Sequence, residues 1–349
     1  MSGITPTIPP IQIRHNVLVV QQHNLDTTVV PFPSSMYHGM PLAIVGASGS
    51  LGFAILKALL DQGLVIASDL ILTTSSSAGA QKLQDAALKG AVTRHVNWDD
   101  DQGAWEAALQ GCDKVFLISS SRIAKDFNDS PLGQGREADH FKALEAAKAV
   151  GVEHIYYASL AFANPSKSDV MTAHERTENW LKQNWSGKYT IIREGLYNES
   201  WPLYFGHYNI PDDERTEVPI AGDSKISWTS IPDLGMANAI IFAAPSEEWA
   251  DKTCYLSQSQ AHSLNDVAAM ISKLKGKDVR VKVVPREEHE TFYVQKRGME
   301  EPFVKWWSKS YDALRDNECE IQDPTLELLL GKQSLKPKQM EATVAEMLA

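Results

Sequence analysis

Residues 44–52 read Ile44-Val45-Gly46-Ala47-Ser48-Gly49-Ser50-Leu51-Gly52, three glycines at G-x-x-G-x-x-G spacing. The run closes an apolar segment that predicts a strand and opens an amphipathic one that predicts a helix. Each glycine answers a separate physical need there. Gly46 permits a tight strand-to-helix turn, Gly49 lets a pyrophosphate approach the backbone with no Cβ in the way, and Gly52 lets the helix lie close on the sheet. Free amides of the turn, around Ser48, Ser50 and Leu51, and the positive end of the helix dipole then face an anion. The end of the next apolar segment reads Thr74-Ser75-Ser76-Ser77, with no acid to bond a ribose 2′-hydroxyl, and Asp69 stands at its other end. Hydroxyls at Thr74, Ser75 and Ser76 can donate to a 2′-phosphate, which favours NADP(H) over NAD. No Arg stands in this turn, and the serine run also reads as a flexible turn.

The elements that must position these residues alternate in short order. Strands are predicted at 42–45, 70–74, 92–96, 114–118, 153–158 and 189–193. Helices are predicted between them at 50–61, 78–88, 104–109, 135–150 and 173–184. Such alternation implies right-handed βαβ crossovers and a doubly wound parallel sheet of Rossmann type, covered on both faces. The expected division is an extended arm over residues 1–40, a nucleotide-binding domain over 41–196 completed by later segments, and a substrate-capping region over 197–349. In that last region, 197–231 reads as aromatic loops over a pocket. A helix begins at Ile231-Pro232-Asp233. A small α+β unit follows, with a strand at 253–256, a helix at 263–273 capped by Ser263 and Asp266, a strand at 279–284 and a helix after Pro285. The C-terminal helical segments are separated by Pro302, Pro324 and Pro337.

Composition narrows the class. The chain has 349 residues, 43% hydrophobic and 22% charged, the balance of a globular protein with room for one or two domains. Its 33 Lys and Arg against 44 Asp and Glu leave a formal net charge of −11, which argues against a nucleic-acid partner held by bulk electrostatics. No apolar stretch approaches the roughly 20 residues of a membrane span. The first ten residues lack the basic start of a signal peptide. Cys112, Cys254 and Cys319 are odd in number and far apart, suggesting neither a disulfide framework nor a metal knuckle. A reduced, cytoplasmic setting is expected. His15, His23 and His38 show no metal-ligand spacing, and Asp99-Asp100-Asp101 reads as an acidic loop capping the following helix, so no metal site is expected.

Several further segments carry a resemblance. The glycine turn, Lys148-Ala149-Val150-Gly151-Val152-Glu153-His154-Ile155-Tyr156-Tyr157-Ala158-Ser159-Leu160, His174-Glu175-Arg176-Thr177-Glu178 and Arg193-Glu194-Gly195-Leu196-Tyr197 resemble the NmrA-like branch of the atypical short-chain dehydrogenases/reductases, over about residues 41–285. That branch contains NADPH-dependent quinone and imine reductases, fungal ergot-type iminium reductases, and regulators that bind the dinucleotide without turning it over. The resemblance implies cofactor contacts at Ser119, Ser120, Ser159, Leu196 and Tyr197, with Ser159 facing the nicotinamide and the Gly195-Leu196-Tyr197 turn beneath it. Ser159 also reads as a strand-terminal serine bonded to its own backbone. His174 is the candidate for polar catalysis or substrate orientation, or else a structural hydrogen-bonding residue. Glu178 reads as a solvated helix face, and Arg193 with Glu194 as a structural pair.

One departure bears on the reaction. Short-chain dehydrogenases usually carry Tyr-x-x-x-Lys on the helix after the fifth strand, yet residues 166–180 hold no Tyr. Reducing an unactivated ketone needs a proton donor at the developing alkoxide. An iminium, quinone or conjugated enone accepts hydride with positioning alone, so the missing dyad points to such acceptors. Trp201, Tyr204, Phe205 and Tyr208, with His207 among them, follow the turn under the nicotinamide and suit a flat aromatic ligand. The same rings also suit an ordinary aromatic core beneath a cap. Trp306 and Trp307 either close the pocket or pack the C-terminal helices. The expected activity is an NADP(H)-dependent oxidoreductase of specialised metabolism that transfers hydride to an activated C=N or C=C bond of an aromatic, alkaloid-like molecule. Two alternatives stand beside it: a cofactor-assisted cyclase, and a non-catalytic NAD(P)-sensing protein.

Overall fold

The computed structural model describes residues 41–210 and 212–349, so the predicted arm and its His15, His23 and His38 lie outside the described residues. Among the described residues one sheet has seven strands: β1 (Leu42–Val45), β2 (Leu70–Thr74), β3 (Val92–His95), β4 (Lys114–Ile118), β5 (His154–Leu160), β6 (Lys188–Glu194) and β8 (Lys252–Leu256). A two-stranded parallel ribbon pairs β7 (Glu217–Ile220) with β9 (Arg280–Val283). The sheet order is β3-β2-β1-β4-β5-β6-β8, and every neighbouring pair is parallel. Strands buried on both faces must be apolar throughout, and Leu42–Val45 is buried at every position. The edge strands β3 and β8 are the exceptions, with Val92 and Lys252 exposed.

Helices cover both faces. On one lie α1 (Ser50–Asp61), α8 (Ile231–Ala243) and α13 (Thr325–Lys332). On the other lie α4 (Gln102–Leu109), α5 (Glu137–Ala149) and α6 (Thr172–Asn184). The region predicted as one helix at 78–88 is two short ones, α2 (Ser77–Lys82) and α3 (Gln84–Leu88), hinged at Leu83. The remaining helices are α7 (Trp201–Tyr204), α9 (Ser246–Trp249), α10 (Leu264–Lys275), α11 (Arg286–Thr291), α12 (Glu301–Arg315) and α14 (Met340–Leu348). The capping box of α10 forms as read, Ser263 and Asp266 each bonding the other's backbone amide. Likewise Asp101 caps α4 by accepting from the Ala104 amide at 2.9 Å.

Two features differ from expectation. The strand expected at 253–256 in the small unit joins the main sheet beside β6, because Cys254 and Leu256 bury against α8 and α13. The loop region at 197–231 contains β7, which finds its partner β9 only in three dimensions. A separate aromatic core then forms over the carboxyl ends of the strands, with Trp201, Tyr204, Phe205, Trp228, Trp306, Trp307 and Tyr311 all buried in it.

Candidate functional site

The strand order reverses between β1 and β4, which lie side by side although β2 and β3 come between them in sequence. Crevices of this kind, outside the carboxyl ends of the strands, are where parallel sheets take ligands. The glycine turn sits at its mouth. Gly46 adopts φ +83, and a Cβ on Gly52 would stand 2.3 Å from the Gly46 carbonyl oxygen. Gly49 is the N-cap of α1 and offers no side-chain cap, and no acid lies in the first turn. The amides there are therefore left to an outside anion.

Around this turn the second strand's end is tightly built. Ser48 Oγ and Thr74 Oγ1 are 3.2 Å apart, and Gly79 comes so close that a Cβ would meet Thr74 Oγ1 at 2.1 Å. Ser76 caps α2, accepting from the Gly79 amide at 3.0 Å, while Ser75 and Ser76 remain exposed. Lys82 reaches back to donate to the Ser48 carbonyl at 3.0 Å. That cation escaped the sequence reading, which looked for Arg within the turn itself. A helix position one turn downstream would have been the signal.

From Leu51 a cleft of about 320 Å³ runs over the strand ends. Its floor is Ile118, Ser119, Ser120, Ser121, Ala158, Ser159 and Leu160; Arg136, Val170 and His174 form one wall. Glu194, Leu196, Tyr197 and Ser200 form the other, and Leu203, Tyr204 and Trp307 close the far end. The turn, Ser119, Ser120, Ser159, His174, Leu196, Tyr197 and Tyr204 are thus brought together. Trp201, Phe205 and Tyr208 do not line the cleft. They pack on one another instead, Trp201 edge-on to Phe205 at 5.9 Å and Phe205 edge-on to Tyr208 at 5.6 Å. The Tyr208 hydroxyl bonds the Asp213 carbonyl at 3.1 Å. Burial of large rings is satisfied there by the cap's own core. Tyr204 differs because its ring meets Trp307 at 4.9 Å at the cleft's end. Trp306 packs against Phe127.

Polar groups beneath the floor are held by partners that sequence spacing did not reveal. Ser159 donates to Glu178 Oε1 at 2.7 Å rather than to its own backbone. Glu178 is fully buried, not solvated, and takes a two-pronged contact from Arg193, Nε at 3.1 Å and Nη2 at 2.7 Å. Burial pulls the Glu178 pKa up, but Arg193 and Ser159 outweigh it and hold the carboxylate below its usual range. Arg193 therefore pairs with Glu178 and not with Glu194. The reason is alternation: adjacent strand residues point to opposite faces, so Arg193 meets α6 while Glu194 meets α8.

Glu194 accepts from Asn238 Nδ2 at 3.0 Å, and burial pushes its carboxyl up to about 8. His174 Nδ1 lies 3.0 Å from the Tyr157 hydroxyl, and burial holds the imidazole well below its usual pKa, hence neutral. Burial also raises the Tyr157 phenol, so it is no ready proton donor. Deeper still, the Ser120 amide donates to His140 Nε2 at 2.9 Å, which leaves Nδ1–H for Thr177 Oγ1 at 2.8 Å. Arg136, which the sequence reading passed over, pairs with Asp126 at 2.6 Å and donates to the Val170 carbonyl at 3.0 Å. The cleft is therefore walled mainly by neutral polar and apolar groups.

A reversed strand order, uncapped amides at the head of α1 and a ring-closed cleft beyond them define a dinucleotide-binding protein of Rossmann type. Within that class the chain belongs to the NmrA-like family, whose sequence model matches residues 40–305. It is 32% identical over 239 residues to Quinone oxidoreductase 2 of Escherichia coli (strain K12), covering 68% of this chain and 76% of that protein. The structure of an NADPH-dependent quinone oxidoreductase from Escherichia coli in complex with NADPH superposes with a TM-score of 0.72, at 27% identity over 88% of this chain and 100% of that one. Triphenylmethane reductase of Citrobacter sp., described for bioremediation of triphenylmethane dyes, superposes with a TM-score of 0.71, at 25% identity over 88% and 99% of the two chains. No helix among the described residues is long and apolar enough to cross a membrane.

Proposed function

We propose that this protein is an NADP(H)-dependent reductase that passes hydride to an activated C=N or C=C bond, or a quinone, in a small aromatic molecule. One observation carries the reading: a single cleft joins the uncapped head of α1, at Leu51, to the rings of Tyr204 and Trp307. The relatives named above, a quinone oxidoreductase and a dye reductase, support a conjugated acceptor. Gly49 leaves room for a pyrophosphate on the α1 amides, Gly46 and Gly52 let the turn and helix pack closely behind it, and Lys82 with the Ser75 and Ser76 hydroxyls suits a 2′-phosphate.

When bound, the cofactor supplies the hydride; the chain's own residues bind and orient. Because Ser159 spends its proton on Glu178, its oxygen presents lone pairs to the cleft and accepts from an amide such as a carboxamide N–H. In the tautomer in which His174 Nδ1 accepts from the Tyr157 hydroxyl, the imidazole carries its proton on Nε2, a neutral donor for an acceptor oxygen or nitrogen. Tyr204 and Trp307 clasp the aromatic body and exclude water from it. Neutral donors of this kind suit acceptors that are already electron-poor, not unactivated ketones.

The test is NADPH oxidation followed by absorbance against a panel of iminium ions, quinones, triphenylmethane dyes, enones and simple ketones. Turnover of the conjugated members and none of the ketones is expected. Tight binding of both cofactor forms with no oxidation across the panel would replace the reductase by a dinucleotide sensor.

A further inference from the structure

Glu194 closes β6 at the edge of the cleft, beside Leu196 and Tyr197. Its Oε2 accepts from Asn238 Nδ2, but among the described residues its Oε1 has no hydrogen-bond partner, although Glu194 is only 2% exposed. Among the described residues, the elements packed around it bring no cation. Asn238 faces it from α8, Tyr197 from the following turn and Cys254 from β8, while its strand neighbours on β5 and β8 are Leu160 and Leu256. Burial raises the Tyr197 phenol and the Cys254 thiol, so both stay neutral. A buried acid with one open oxygen and no basic partner is costly unless a ligand answers it. A nicotinamide ring is neutral when reduced and carries a positive charge when oxidised.

We propose that Glu194 registers the charge of the nicotinamide ring, standing as a neutral acid beside the reduced ring and as a carboxylate beside the oxidised one. This rests on the cofactor site proposed above. On binding of the oxidised form, the Glu194 O–H bond breaks and its proton goes to solvent; no group changes oxidation state. Binding of the reduced form leaves the proton in place. In the free protein burial keeps the carboxyl protonated up to about pH 8. An opposite charge nearby lowers that value, so affinity for NADP+ rises with pH below about 8 while affinity for NADPH gains nothing comparable.

Calorimetric titration of the full chain near neutral pH, in two buffers of different ionisation enthalpy, counts the protons exchanged with each cofactor form. The 2′-phosphate contributes alike to both and cancels in the difference. Release of roughly half to one proton more for NADP+ than for NADPH is expected, with NADP+ affinity tightening roughly tenfold between about pH 6.5 and 8.5. Glu194→Gln, which keeps the shape, should abolish both differences while cofactor still binds. Equal proton counts for the two forms in the wild-type protein, or a difference that survives in Glu194→Gln, would overturn the proposal. Failure of either form to bind at all is a distinct result, and it would overturn the cofactor reading itself.

Discussion

Gly52→Ala adds one methyl group at the tightest point of the glycine turn. Its Cβ would stand 2.3 Å from the Gly46 carbonyl oxygen and 2.9 Å from the Ala47 Cα. Ordinary carbon–oxygen contact begins near about 3.3 Å, so α1 must retreat by roughly 1 Å. The far side of α1 gives no such room, because a Cβ on Gly235 of α8 would already meet the Ala54 Cβ at 2.6 Å. Overpacking of this kind costs about 1–3 kcal/mol, and at ~2–4 °C per kcal/mol the melting temperature should drop by about 2–12 °C. Displaced amides also forfeit at least one bond to a charged phosphate, about 1.5–3 kcal/mol, which weakens NADPH binding by roughly 10–100-fold. Gly49→Ala separates the two effects. Its Cβ would stand 3.2 Å from the Gly46 oxygen, a tight contact that a shift of a few tenths of an ångström relieves, so stability should change by less than about 1 kcal/mol while the methyl still blocks the pyrophosphate. Thermal melts and calorimetric titration with NADPH read both quantities. A Gly52→Ala protein that melts and binds like wild type would refute the reasoning from close approach.

Four other outcomes are expected. Glu178→Gln strands Arg193 as an unpaired buried charge and should cost about 3–5 kcal/mol by denaturant titration, with Glu178→Gln/Arg193→Met recovering much of it. Since the native Glu178 pKa is depressed, the stability it confers is present above the unfolded value of about 4.3 and is lost as pH falls through the native value. Glu194→Gln should raise stability at pH 8 by a few kcal/mol, on the order of the linkage limit, and leave it little changed at pH 4, because the native carboxyl holds its proton up to about 8 while the unfolded chain ionises from about 4.3. His207 and His289 are held neutral by burial, down to about 3 and about 4, so the unfolded chain takes up protons first and stability should fall steadily from about pH 6.5 towards 4 in acid denaturation. Trp307→Ala should raise KM for an aromatic acceptor by roughly tenfold, whereas Trp201→Ala should lower stability by about 3–5 kcal/mol and leave the KM of the folded enzyme unchanged. Steady-state kinetics beside thermal melts distinguishes the two tryptophans.

Legibility followed locality. The alternating elements, the glycine turn and the capping box of α10 were visible because each is set by contacts within a few residues. The break at Leu83 was not, since the helical period continues through it. Nor was β7, whose four residues include Pro219 and whose partner strand lies far along the chain. In the site, the sequence indicated which segments meet over the strand ends. It did not indicate which of their side chains face the cleft.

Periodicity and glycine spacing alone were enough to determine a doubly wound sheet with a phosphate-ready turn, because hydrophobic burial and backbone sterics act through nearest neighbours. Tertiary structure alone decided the chemistry of the charged and aromatic residues. Arg193 and Glu194 are adjacent in sequence, yet one neutralises Glu178 and the other stays protonated beside Asn238. Trp201, Tyr204, Phe205 and Tyr208 share one short segment, yet only Tyr204 reaches the ligand space. A side chain's charge and its access to a ligand depend on what surrounds it in space, and those surroundings are assembled from segments distant in the chain.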